Sequence, residues 1–567
     1  MDGHMVNRNP MNALLDLPTE LQGEAMSACF IASMKSIHCR HRNGLSCLAL
    51  SLLLAFAPLP AQSASLAPLA SRSDLLFLDR ITYGVNAATL HAYRASGRAR
   101  FLENQLVFHG DDGLPPEVRG RIAELDISRL GPADLLAERR AAEQQMKNAP
   151  DAETRGKLRQ AINQRANDLA YQAEERRILR ALYSSNQLQE LLTWFWFNHF
   201  NVFQHKGNIN LLVADYEENA IRPHVLGKFR DLLLATLTHP AMLVYLDNTQ
   251  NASGAINENY AREIMELHTL GIDGGYTQKD VQELARILTG VGVDFSGKGC
   301  RGGETALDPA HPRLSSGLFC FDPKRHDSGS KVFLGRQFPT GGGREEVLRA
   351  VDMLAKSPAT ARFISSELAV YFLGDNPPDG MVRDMARTFM KSGGDIALTL
   401  GTLFHCATFL NGLGTKYKDP VQYVFSSVRL LYGDAPIRNL RPVVNWINQL
   451  GEPFYAHVAP NGYGMRGNNW LSADQMARRF DVARNIYWSA GVLYSDEPAA
   501  GALDNADQKR LQALRRRARE AHPVDSFGNY DLVRTMLSDR TLGALKKTLT
   551  LDEWNSLLLS SSEFMYR

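Results

Sequence analysis

The chain has 567 residues, enough for one large domain or two to three smaller ones, and 44% of them are hydrophobic, enough for a real core. Its 63 Lys and Arg balance 61 Asp and Glu. That near-neutrality excludes a protein built around nucleic acid, which needs a basic stripe to neutralise phosphates.

The first predicted element is an export signal beginning at Met34. Lys35, Arg40, His41 and Arg42 form a basic region, Leu45 to Leu59 an apolar one, and Ala61, Ser63 and Ala64 supply small residues for cleavage. This pattern predicts a secretory signal peptide, too short and wrongly flanked for a membrane span. Residues 1–33 look unlike a targeting element, so Met34 stands beside Met1 as a start. Cys47 precedes the apolar run, which argues against a lipoprotein site, and the metal-like HCRH at 38–41 belongs to the leader. No later run of eighteen apolar residues occurs. The mature chain is therefore expected to be soluble and periplasmic or extracellular, meeting the membrane only through its signal peptide.

After the leader, strand signals are scarce and apolar residues recur at three- and four-residue spacing. The spacing predicts an all-α protein: a large multi-helix array with long Gly-rich loops and at most a small β-hairpin. Two or three short helices are expected over 72–107, then charged helices at 132–148 and 151–184, broken at Ala149-Pro150 and capped by Asp151. These two read as a hairpin solvated on one side. NQLQELLTWFWFNHFNVF, from Asn186, is too apolar for the surface and should cross the core. Helices are expected at 211–222, 224–238, 256–270 and 278–290, the last with a capping box from Thr277 and Asp280. Residues 291–342 are irregular, and helices resume at 344–356, 358–373, 379–392, 394–406, 418–432 and 440–449. Residues 451–470 form a second long loop, and 472–567 are again helical. The implied organisation is an extension plus leader at 1–64, a helical region at 65–300 and a Gly/Pro-rich insertion at 301–342. A second helical region at 343–567 forms one compact unit with 65–300.

Removing the leader leaves three cysteines. Cys300 and Cys320 bracket a Gly-rich loop and are candidates for a disulfide in an oxidising compartment, worth about 3 kcal/mol by loop closure. Cys406, in LGTLFHCATFL, reads as a packed free thiol inside an apolar helix.

The window from Asn257 to Gly290, NENYAREIMELHTLGIDGGYTQKDVQELARILTG, carries the densest polar information. At about 100° per residue, Tyr260, Ala261, Ile264, Met265, Leu267 and His268 share an apolar arc. Glu258, Asn259, Arg262, Glu263, Glu266 and Thr269 share the opposite one. The simplest reading is a wet face with four-residue ion pairs, His268 a neutral core histidine, and Gly271 a left-handed cap. Against it, Asn198, His199, Asn201 and His205 lie in or beside the apolar core segment, and buried polar groups need partners such as these carboxylates. Asp273 among glycines is too weak a signal for a metal, and no metal or cofactor is expected. Serine-hydrolase, zinc-helix, P-loop and dinucleotide motifs are absent from the sequence.

These residues resemble a known family, the secreted bacterial proteins of domain of unknown function 1800. The resemblance rests on the Asn257–Gly290 window together with DRITYGVN, WFWFNHFNVF, FDPKRHDSGSKVFLG, SPATARFISSELAVYFLGDNPP and NGYGMRGNNWLSADQMARRF, which span about 75 to 490. It departs at Asn461-Gly462-Tyr463-Gly464, where the family usually has a Pro-Gly-Trp type of turn. The resemblance implies an exported, largely helical protein, often found beside a second exported family (1501) resembling alkaline phosphatases and sulfatases. It brings no residue roles with it.

Two functions are compatible with the residues. One is a carbohydrate-active hydrolase or lyase on envelope or extracellular polysaccharide. Glu263 and Glu266 would supply acid and base, assisted by His199, His205 or His326; Asn201, Asn259 and Arg262 would bind substrate, with Arg262 holding an anionic sugar and Tyr463 and Trp470 stacking on sugar rings. A lyase would instead use Tyr260 or a His as base. The other is a non-catalytic scaffold binding an exported partner of the 1501 type.

Overall fold

Local signals set the helix ends. Asp151 accepts the Thr154 amide at 2.7 Å and starts the Ala152–Tyr183 helix. Thr277 and Asp280 close a reciprocal capping box that starts Gln278–Ile287. Gly271, at φ 79°, supplies the left-handed turn where the polar helix ends, and a Cβ there would meet the Phe363 ring at 2.9 Å. The computed structural model describes residues 70–107, 112–296, 300, 303–311, 317–495 and 530–567. The expected leader and its start codons lie outside them.

Helices dominate these residues, as the spacing predicts. The charged hairpin is Pro132–Lys147 against Ala152–Tyr183, followed by the core helix Gln187–His199, all of whose residues are buried. Two antiparallel two-stranded sheets occupy the Gly-rich insertion, Val291–Val293 with Phe319–Phe321 and Lys331–Phe333 with Arg336–Phe338. Cys300 and Cys320 are bridged there, with Cα atoms 5.4 Å apart. One hydrophobic core runs from Leu75 to Met565, and the described residues cluster as one compact unit. No helix among the described residues is long and apolar enough to cross a membrane.

Three expectations need correction. The segment 211–222 is not a plain α-helix: Val213–Asp215 leads into a π-helical turn, Tyr216–Ile221. The second half of Ala152–Tyr183 is not a solvated face. Arg177 pairs with Glu217 at 2.7 Å and Arg180 with Glu218 at 2.8 Å, while Arg222 pairs with Glu190 of the core helix. The Arg177 guanidinium also lies 4.6 Å over the Trp194 ring. Charges met in sequence as surface are thus matched across elements, and this buried network holds the core helix in place. Finally, Cys406 is a half-buried N-cap whose sulfur accepts the Phe409 amide, between two helices rather than inside one.

Candidate functional site

The site is built around the C-terminal exit of the core helix. Its residues 198–201 meet three other segments: the loop at 453–467, the polar helix at 259–269, and the Pro358–Phe372 helix.

Asn198 donates to the Tyr463 carbonyl at 2.8 Å and accepts the Tyr463 amide at 2.6 Å, as a strand neighbour would. Gly462 touches it so closely that a Cβ would lie 2.2 Å from the Asn198 carbonyl oxygen, so only glycine fits. Asn201 donates to the His457 and Ala459 carbonyls at 3.0 and 2.8 Å. The buried amides therefore find backbone carbonyls of the loop, not the expected carboxylates. The Tyr245 hydroxyl donates to the Val458 carbonyl at 2.6 Å beside them.

The polar helix has a feature that the 100° wheel misses. Asn259–Glu263 is α-helical, but Ile264–Thr269 is a π-helical turn, with the Leu270 amide bonding back five residues to Met265 at 2.9 Å. The wider turn reverses two assignments: Thr269 is buried and bonds the Ile264 carbonyl, while Leu267 is only half-buried. It leaves Glu263 and Glu266 half-buried on the outer face. Burial first, then the neighbouring Glu266 charge, raises the Glu263 carboxyl above its ordinary value of 4.5, against the pull of Arg262. Burial and the Glu263 charge push the Tyr245 phenol up to about 12, opposed by its hydrogen bond with Asn201. Burial and the Glu266 charge likewise raise Tyr276. Glu263 thus lies within electrostatic reach of Tyr245, which Asn201 touches.

Beneath them is a histidine pair. His199 Nε2 lies 3.1 Å from the His268 carbonyl oxygen, and the two rings are 5.9 Å apart. Burial lowers His199 to about 4 and His268 well below its ordinary value, so both are neutral, as expected of His268. His268 Nε2 is buried without a hydrogen-bond partner.

The remaining candidates are placed differently. Asn259 donates to the Leu246 carbonyl at 3.2 Å and ties down the helix start. Arg262 is held by Glu258 at 3.0 Å and Gln278 at 3.1 Å. His205 is exposed, with its ring against Phe203. The Tyr463 hydroxyl bonds the Pro453 carbonyl at 2.8 Å, and Trp470, only 7% exposed, bonds Gly464 and packs on Tyr463. Tyr260 is fully buried, and burial pushes its phenol well above the ordinary range. His326 belongs to a separate buried cluster, 2.8 Å from the Thr289 carbonyl and 3.4 Å from Glu346, which Lys331 also holds at 2.6 Å. The polar partners of His326 are thus Thr289 and Glu346, not Glu263.

Sequence reasoning missed Tyr245 and Glu367. Glu367 is half-buried in the Pro358–Phe372 helix, where burial holds its carboxyl up to about 7 against the attraction of Arg466. A lone carboxylate in SSELAVYF was the available signal. Cavities of about 500 and about 200 Å³ are lined by other residues, including Arg121 and Ile437 in one and Leu135 and Leu169 in the other. No group of three or more acidic, His or Cys side chains suited to a metal occurs among the described residues.

A family model described as a protein of unknown function, DUF1800, matches residues 76–566. The chain belongs to the DUF1800 family. No curated protein and no solved structure matches it. In this DUF1800 protein, four of the segments that carry the resemblance converge: the WFWFNHFNVF helix, the NENYAREIMELH helix, SSELAVYF and the NGYGMRG loop meet around residues 198–201.

Proposed function

We propose that this DUF1800 protein is an exported carbohydrate-active hydrolase on envelope or extracellular polysaccharide, with Glu263 and Glu266 as its acid–base pair. One observation carries the reading: a half-buried Glu263 whose carboxyl is raised by burial and by Glu266. A carboxyl raised by burial and by a neighbouring carboxylate is the kind of pair in which acid and base roles are divided. A lyase is less well supported, since Tyr260 and both core histidines are buried and Arg262 is already paired. The Cys300–Cys320 bridge supports export, because such bridges persist in oxidising compartments.

A second reading is favoured by a different observation. Val458, on the loop whose carbonyl Tyr245 bonds, and Ile272, just past the polar helix, are 68% and 72% exposed apolar side chains that a partner would cover. In that reading the protein is a scaffold for an exported phosphatase- or sulfatase-like partner. Release of reducing ends from purified peptidoglycan and exopolysaccharide by wild type and Glu263→Gln separates the two. An enzyme loses turnover in the variant at an unchanged melting temperature. Equal turnover in both proteins, or none in wild type, sinks the catalytic reading.

A further inference from the structure

We propose that Asn461 is a modification site. Its side-chain amide is lost without an enzyme, through a cyclic imide closed by the Gly462 nitrogen, and the product releases the loop that the core helix holds. The proposal stands whether or not Glu263 and Glu266 are catalytic.

The packing of the loop demands glycine after Asn461. Gly462 has φ 66°, and a Cβ there would lie 2.2 Å from the Asn198 carbonyl oxygen and 2.5 Å from Asn198 Oδ1. A residue without a Cβ hinders least the attack of its own nitrogen on the side chain before it. The contact with Asn198 thus forces on Asn461 the neighbour that leaves its amide most open to attack. Asn461 is exposed and makes no side-chain hydrogen bond among the described residues. With Pro460 it forms the centre of a four-residue turn, closed by the Gly462 amide on the Ala459 carbonyl at 3.3 Å. That distance is long for an N–H on a carbonyl, so the attacking nitrogen is weakly held.

A second exposed Asn-Gly pair supplies an internal control. Asn411 is the last residue of the Ala407–Asn411 helix, and the Gly412 amide donates to the Thr408 and Phe409 carbonyls, both at 3.1 Å. Arg80 also holds the Gly412 carbonyl at 2.7 Å. Attack by the Gly412 nitrogen requires this helix end to open first.

Asn461 lies between two clamped points. Upstream, Asn201 holds the Ala459 carbonyl at 2.8 Å. Downstream, Asn198 holds the Tyr463 amide at 2.6 Å and the Tyr463 carbonyl at 2.8 Å. Isoaspartate routes the main chain through the former side chain and lengthens it by one carbon. Gly462 already touches Asn198 and has no room to take up that carbon, so one clamp opens.

The step balances with water as the co-reactant. The Gly462 nitrogen gives its proton to solvent and bonds to Asn461 Cγ, and the side-chain nitrogen leaves as ammonia. Water then adds to one of the two imide carbonyls and breaks its bond to the Gly462 nitrogen. Opening at Cγ gives aspartate, and opening at the main-chain carbonyl gives isoaspartate. One water is consumed, one ammonia is released, and nothing is oxidised or reduced.

The test incubates the folded full chain in ¹⁸O-water at mildly alkaline pH and maps its peptides by mass. Asn461 should become acid at least about tenfold faster than Asn411, a barrier difference of about 1.4 kcal/mol. Each converted peptide should carry one ¹⁸O and appear in two forms, aspartate and isoaspartate. Proteolysis within 455–470 should quicken as wild type ages and stay constant in Asn461→Gln, whose longer side chain does not close the five-membered ring. Asn461 intact in the folded chain while the denatured chain converts, or Asn461 and Asn411 converting at equal rates, overturns the site. Conversion with unchanged proteolysis overturns the release of the loop.

Discussion

Arg177→Met probes the buried network that positions the core helix. Arg177 and Glu217 are 3% and 4% exposed and 2.7 Å apart, and Tyr455 donates to the same carboxylate oxygen at 3.0 Å. Removing the cation leaves a buried carboxylate with one neutral donor, a loss of about 3–5 kcal/mol. The Trp194 cation–π contact is lost as well, adding up to about 2 kcal/mol. Removing both charges in Arg177→Met/Glu217→Leu should restore most of this, leaving a deficit of about 1–3 kcal/mol because the Tyr455 hydroxyl loses its acceptor. Urea denaturation at constant slope reads both values. A single-variant loss below about 1 kcal/mol, or a double variant worse than the single, refutes the claim that this pair is a desolvated brace.

Other expectations concern the loop, the bridge and the histidines. Asn198→Ala removes both bonds to Tyr463 and should cost about 2–4 kcal/mol, with faster proteolysis within 455–470; unchanged cleavage there would count against the clamp. Cys300→Ser opens a loop closed over a separation of 20 residues and should lower stability by about 3 kcal/mol, an effect reproduced by reducing the wild type. His199 is held at about 4 when folded against 6.5 ordinarily, so the unfolded chain takes up its proton first as pH falls. Stability is therefore whole above pH 6.5 and lost between 6.5 and 4, by about 3 kcal/mol for this group. His199→Gln should flatten that slope in melting curves from pH 7 to pH 4; an unaltered slope would show that the ring is not buried and neutral.

Much of the architecture was legible because it depends on local, periodic signals. Asp151, Thr277 with Asp280, and Gly271 mark helix ends through their own side chains or φ angles, and the apolar Gln187–His199 segment could only be core. The π-turn at Ile264–Thr269 was not legible, because a five-residue hydrogen-bond step leaves no mark in a 3.6-residue pattern. The Arg–Glu network was misread as solvated for a related reason: its partners at 190, 217 and 218 lie on other elements, and only folding matches them. At the site, the importance of Asn198 and Asn201 could be argued from burial alone, but their backbone partners at 457–463 could not. Glu367 was overlooked because a single acid in a helix resembles an ordinary exposed position.

The central claim is that burial and the neighbouring Glu266 raise the Glu263 carboxyl above its ordinary value. Site-specific ¹³C titration of the Glu263 carboxyl in wild type and Glu266→Gln tests it without any substrate. The account predicts a wild-type midpoint above 4.5 that falls when Glu266 is neutralised. A midpoint at or below 4.5, unmoved by Glu266→Gln, would contradict it.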